Sequence, residues 1–196
     1  MKAFTLLFSL FVATTTVQAA ADKMTTLSSP DGTLKVTATT GSNGMTWAIE
    51  QNGNTVLLPS AIDITIDGKH SIKAVGKEAA RKSVDKTSTE FYVKKSALRE
   101  NYNTVTLKFP AGISVEFRAY NDFASYRILT QNGKKQRIVN NEKSVFRFAD
   151  DYKAFVPYVN DNRGGERWCY SFESYYDEQT LSQMHTDSLA IVPLAV

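Results

Sequence analysis

Five dipeptides of the Asp-Gly or Asn-Gly kind punctuate this chain: Asp31-Gly32, Asn43-Gly44, Asn52-Gly53, Asp67-Gly68 and Asn132-Gly133. Such pairs tolerate positive φ, so each is expected to close a hairpin between antiparallel strands. Between them the apolar residues alternate. Leu34, Val36 and Ala38 point one way and Thr33, Lys35, Thr37 and Thr39 the other. Trp47 with Ile49, then Ile62, Ile64 and Ile66, then Ile72 with Ala74, repeat the pattern. Phe91-Tyr92-Val93 centre a weaker strand, and Val105, Leu107 and Phe109 a stronger one. After the turn at Pro110-Ala111-Gly112 come Ile113, Val115, Phe117 and Ala119, then Tyr126, Ile128 and Thr130, then Ile138 and Val145 with Phe146 and Phe148. A period of two is the signature of strands with one buried face. No window of eleven or more residues carries a helical period; short helices are expected only within residues 78–84 and 174–184. The fold class is therefore all-β, a large antiparallel β-sandwich.

The N-terminus reads differently. Lys2 precedes an apolar run from Phe4 to Ala13, and Val17-Gln18-Ala19 places small residues at −3 and −1 of a cleavage point. Residues 1–19 are expected to be a signal peptide, and 20–196 one β-sandwich domain of about 175 residues, enough for a single sizeable core. The run is too short to span a bilayer, and no Cys follows it to carry a lipid. The expectation is an exported protein without a membrane span, periplasmic in a Gram-negative cell. The single Cys, Cys169, excludes an intramolecular disulfide. A net charge of +3, about +2 without Lys2, is too small to point to nucleic acid. The apolar run from Leu189 to Val196 reads as a strand ending without a polar tail, and the sequence is expected to be cut within a larger polypeptide.

Motifs for common chemistries are missing: no G-x-S-x-G, H-E-x-x-H, C-x-x-C or phosphate-binding glycine loop occurs, and His70 and His185 lie far apart. Cys169 has no His near it in sequence and reads as a bystander thiol. Two clusters remain. Residues 118–127 form a hairpin corner in which Asn121 and Asp122 are expected to bond their own backbone, with Arg127 pairing a carboxylate such as Glu142. The second is Trp168-Cys169-Tyr170-Ser171-Phe172-Glu173, where aromatic residues alternate with small or polar ones. If the aromatic face is buried, Glu173 lies on the opposite face, free to meet solvent, a metal or a partner domain. The polar, glycine-bearing loop at 160–167 precedes it, a composition that serves recognition more often than packing.

The order of these motifs is similar to a known pattern. Ser28-Ser29-Pro30-Asp31-Gly32 comes first, then Ala119-Tyr120-Asn121-Asp122-Phe123-Ala124-Ser125-Tyr126-Arg127, then Glu142 with Val145-Phe146-Arg147-Phe148. Tyr170-Ser171-Phe172-Glu173-Ser174-Tyr175-Tyr176 and Ala190-Ile191-Val192-Pro193-Leu194 complete it. Together they resemble the N-terminal domain of glycoside hydrolase family 97, exported enzymes typical of gut Bacteroides-type bacteria. Phe123 stands where the family usually has Gly, a departure that bears on the hairpin's shape and not on the fold.

The resemblance implies a β-super-sandwich of the galactose-mutarotase-like kind packed on a catalytic (β/α)8 barrel that carries the catalytic carboxylates, so no catalytic residue is expected here. It implies an exo-acting α-glucosidase or α-galactosidase acting on an α-linked oligosaccharide. It also implies a calcium cofactor to which this domain gives one ligand, matching Glu173. Calcium takes six to eight oxygens, so Glu173 would be a half-site completed by the barrel of the same polypeptide. The aromatic strand beside it suits the rim of a sugar pocket, with Trp168 the candidate to stack on a pyranose ring. The alternative is a stand-alone exported β-sandwich that binds a carbohydrate or a partner without cutting anything.

Overall fold

The computed structural model describes residues 21–89, 96–131, 136–159 and 175–196. Its strands are β1 (Lys23–Ser28), β2 (Leu34–Gly41), β3 (Gly44–Gln51), β4 (Asn54–Ile66), β5 (Lys69–His70), β6 (Lys77–Ser88) and β7 (Leu98–Phe109). β8 (Ile113–Ala119), β9 (Ala124–Thr130), β10 (Val139–Ser144), β11 (Arg147–Phe148), β12 (Lys153–Val156) and β13 (Asp177–Thr180) follow. The first sheet runs β1-β2-β3-β4-β10, with β5 and β11 also on β4; the second runs β6-β7-β8-β9; β12 and β13 form a separate ribbon. Every pairing between these strands is antiparallel, so the expected all-β sandwich is what the chain builds.

The turn dipeptides set the registers. Asn52-Gly53 and Asp67-Gly68 each put two successive residues at positive φ, so the β3–β4 and β4–β5 hairpins close on two-residue loops. The β2–β3 hairpin differs by one position. Gly41 pairs with Gly44, so Ser42 and Asn43 make the turn and Gly44 already belongs to the strand.

Once registers are fixed, the alternation puts one apolar face of each sheet inward. Leu34, Val36, Ala38, Met45, Trp47, Ile62, Ile64 and Ile66 meet Val105, Leu107, Phe109, Ile113, Val115, Phe117 and Ala119 in one core. Trp47 bridges the sheets, its ring 6.1 Å from that of Phe117 and 5.2 Å from that of Tyr126. Burying a side chain of this size contributes roughly 1.5–3 kcal/mol, so the interlocked faces are the main source of stability.

Three local expectations are corrected, and a fourth, the short helix within 174–184, is met by one 3₁₀ turn. Residues 78–84 lie within β6, not a helix, because pairing with β7 along its length outweighs the helix-favouring Glu78-Ala79-Ala80-Arg81. Within 174–184 the described residues form β13 and then one 3₁₀ turn at Leu181–Gln183, in which the Gln183 side chain accepts the Thr180 N–H at 3.0 Å. Ile72 is fully buried, but in the crossover to the second sheet and not in a strand. The run from Leu189 to Val196 makes only isolated bridges, Ala190 to Tyr158 and Ala195 to Phe155, with Pro193 unable to donate between them. The strand centre at Phe91-Tyr92-Val93, the Asn132-Gly133 turn and the signal peptide lie outside the described residues.

Candidate functional site

Trp168 and Glu173, the two sequence-predicted site residues, lie outside the described residues, as does Cys169. The structure does place the stem from which their segment leaves and to which it returns. Val156 at the end of β12 pairs with Asp177 at the start of β13. Ala154, Val156 and Tyr158 are buried in a second small core against Leu181, Met184, Ala190 and Leu194. Tyr158 Oη accepts from Gln179 Nε2 at 2.6 Å and from the His185 backbone N–H at 2.8 Å, and its ring stacks on the His185 imidazole at 4.7 Å. Val159 N–H donates to Leu189 O and Ile191 N–H to Pro157 O, stitching the last residues to the same stem.

A cleft of about 660 Å3 opens beside this stem, lined by Phe146, Phe148, Asp150, Asp151, Leu181, Ser182, Met184 and Leu194. Both carboxylate oxygens of Asp151 are taken, one by the Ser182 N–H and one by the Ser182 hydroxyl, each at 2.7 Å. The hydroxyl and then the N–H hold its carboxyl below the usual range. Phe146 and Phe148 give the cleft aromatic rings and Asp150 and Asp151 carboxylates, residue types that suit a polyhydroxylated ring. Among the described residues, every carboxyl whose pKa departs from its ordinary value moves down.

The hairpin corner behaves otherwise than expected. Arg127 Nη2 pairs with Glu116 Oε1 at 3.0 Å, because the β8–β9 register sets the two opposite each other; Glu142 belongs to β10 in the other sheet. Arg118 Nε reaches the same oxygen at 2.9 Å. Burial pushes the Glu116 carboxyl up, but the bonds from Arg127 and Arg118 outweigh it and leave the group below its ordinary value. Asn121 does not bond its own backbone. Its side-chain oxygen accepts the Asp31 N–H, and its carbonyl accepts from Thr33 Oγ1 and Gln51 Nε2. The local turn bond is Tyr120 N–H to Phe123 O, and the Phe123 ring stacks on Tyr120 at 4.0 Å. The cleft and the Tyr158–His185 stack were not legible in the sequence, since the residues that form them are spread over separate segments.

Among the described residues no three His, Cys, Asp or Glu side chains gather as a metal site. None of the described helices is long and apolar enough to cross a membrane.

The family described as Glycosyl-hydrolase 97 N-terminal matches residues 27–196. A retaining alpha-galactosidase of Bacteroides thetaiotaomicron is 38% identical over 203 aligned positions, covering 100% of this chain and 30% of that protein. A Glycoside Hydrolase Family 97 enzyme from Pseudoalteromonas sp. strain K8, solved with acarbose, superposes with a TM-score of 0.61 at 20% identity, over 79% of this chain and 24% of the other. A beta-arabinopyranosidase superposes with a TM-score of 0.65 at 20% identity, over 78% and 26%. At that identity the two structures speak for the fold. The chain thus spans under a third of the curated relative it matches, and the match runs through both motif clusters and the stem. It belongs to the glycosyl-hydrolase 97 N-terminal family.

Proposed function

We propose that this chain is the N-terminal, non-catalytic module of an exported, calcium-dependent, exo-acting α-glycosidase, and that the whole enzyme takes α-galactosides. The observation that carries the reading is the 38% identity, along all of this chain, to a retaining alpha-galactosidase more than three times its length. Glu173 contributes one calcium ligand from the segment held on the β12–β13 stem, and Trp168 stacks on the sugar. Exposed apolar side chains near the stem support a role in packing against a catalytic barrel. Phe146, Phe155, Tyr175, Val192 and Val196 are exposed around the stem and cleft, Val192 at 87%.

The test is hydrolysis of nitrophenyl α-galactoside and α-glucoside by the longer protein that carries this chain, after chelation and titration back with calcium. The wild type should prefer the galactoside and regain activity with calcium. Glu173→Gln keeps size and hydrogen bonding but removes an anionic oxygen, so its curve should shift to higher calcium. Superimposed curves would make Glu173 an ordinary surface residue. An intact secreted protein that binds galactosides without hydrolysing them would identify a stand-alone binding module instead.

A further inference from the structure

A second cavity, of about 390 Å3, lies at the end of the sandwich where the chain crosses from the first sheet to the second. Its walls come from the end of β4 and β5, the crossover, the β7–β8 turn, and Arg137 ahead of β10. Ile66, Ala74 and Pro110 give it an apolar floor, and Lys69, Lys73, His70 and Arg137 a basic rim. Asp67 is the acid in this lining, and it is already committed. It accepts the Ile138 N–H at 3.0 Å and Arg137 Nε at 2.9 Å, and Arg137 Nη1 is fixed on Ala111 O. The Ile138 N–H and then Arg137 lower the pKa of its carboxyl. Neither Lys69 nor Lys73 forms an ion pair among the described residues. His70 is held through Nδ1 by Asp63, which leaves Nε2 as the ring atom open to a ligand.

We propose that this cavity binds an oxyanionic sugar, a uronate or sulfated residue, with Lys69 and Lys73 on the anion and Ile66, Ala74 and Pro110 under the ring. Two features select this class. Lys69, Lys73 and Arg137 outnumber the one carboxylate of the lining, Asp67, so the cavity keeps an excess of positive charge even though Asp67 acts on both Arg137 and Lys69. The volume falls at the small end of ligand-sized pockets, about 300–1,000 Å3, which suits one sugar residue and exceeds the need of a bare ion. The site is remote in sequence from Glu173 and Trp168, and its occupancy does not depend on the glycosidase reading.

Isothermal titration calorimetry of the intact protein tests this with digalacturonate, inorganic sulfate and neutral galactobiose as probes. Digalacturonate should bind, sulfate should bind more weakly and compete with it, and galactobiose should not displace it. The double substitution Lys69→Ala with Lys73→Ala should weaken digalacturonate about tenfold or more, while Lys82→Ala, a basic residue on β6, should leave it unchanged. Sulfate as the tighter ligand would make this a free-ion site and overturn the sugar assignment. Absence of binding, equal loss in Lys82→Ala, or displacement by galactobiose would overturn the proposal. The lysines are exposed, so a thermal melt within about 2 °C of wild type shows that the double variant is folded.

Discussion

The backbone N–H of Asp31 donates to the side-chain oxygen of Asn121, 3.3 Å away and 90 residues later in the chain. This bond ties the first hairpin of one sheet to the β8–β9 corner of the other. The Asp31 carboxylate is also organised, accepting the Ser29 hydroxyl at 2.6 Å and the Thr33 N–H at 3.0 Å. Those bonds, Ser29's first, lower its pKa. Two motifs far apart in sequence thus serve as the halves of one clasp.

Asn121→Ala removes the acceptor and leaves the Asp31 N–H to water. Because the bond is exposed, the loss should be modest, about 0.5–1 kcal/mol. Urea denaturation checks it: the midpoint should fall while the slope stays that of wild type.

Glu116 makes a stronger prediction, since its side chain is only 14% exposed and faces two guanidinium groups. Glu116→Gln should lose about 1–2 kcal/mol by leaving Arg118 and Arg127 without their anion. The pH dependence has a definite sign. The folded carboxyl lies below its ordinary value of 4.5, so the unfolded chain takes up the proton first as pH falls. The stabilisation is complete above that ordinary value and is lost as pH drops through the lower folded one. Wild type and Glu116→Gln melting temperatures should therefore differ above pH 4.5 and converge as the pH falls through the lowered folded value.

Gly112 tests backbone geometry. Its φ is +73°, and a Cβ there would stand 2.6 Å from the Gln131 carbonyl oxygen, which belongs to backbone and cannot swing away. Gly32, at φ +77°, has nothing within 4 Å of its Cβ position. Gly32→Ala should cost about 1 kcal/mol and Gly112→Ala about 2 kcal/mol or more. Equal losses in calorimetry would mean that the Gln131 contact relaxes freely.

The apolar face around the stem predicts a separation between stability and assembly. Val192→Asp alters a side chain 87% exposed, so this chain by itself should melt within about 0.5 kcal/mol of wild type. On the proposed reading, in which a catalytic module packs here, the same change in the longer protein should raise its sensitivity to limited proteolysis. Unchanged proteolysis would move the docking face elsewhere.

The sequence made the core legible wherever one face of a strand is buried. Val36, Ile64, Leu107 and Phe117 all point inward as their alternation requires. What it concealed depends on register and crossover. Arg127 finds Glu116 because a turn of fixed length sets β9 against β8, and no local pattern distinguishes that partner from Glu142. The helix expected near residue 78 failed because a neighbouring strand, β7, offered a full ladder of hydrogen bonds. Asn121 looked like a residue that serves its own turn, and only the arrival of the Asp31 hairpin gave it another use. The cleft by the stem draws Phe146 and Leu194 from positions far apart in the chain, so no spacing announces it.

Trp47 sits where the two sheets meet, its ring against Phe117, Tyr126 and Phe146. The chain has two tryptophans, and the other, Trp168, belongs to the segment that carries Glu173. The molecule therefore holds two fluorophores with separate duties. With Trp168→Phe, the remaining emission comes from an indole shielded from water and close enough to Tyr126 to collect its excitation, so it reddens when the sheets part. With Trp47→Phe, the tryptophan emission comes only from the segment that carries Glu173, and a change in its colour reports events in that segment and not in the sandwich.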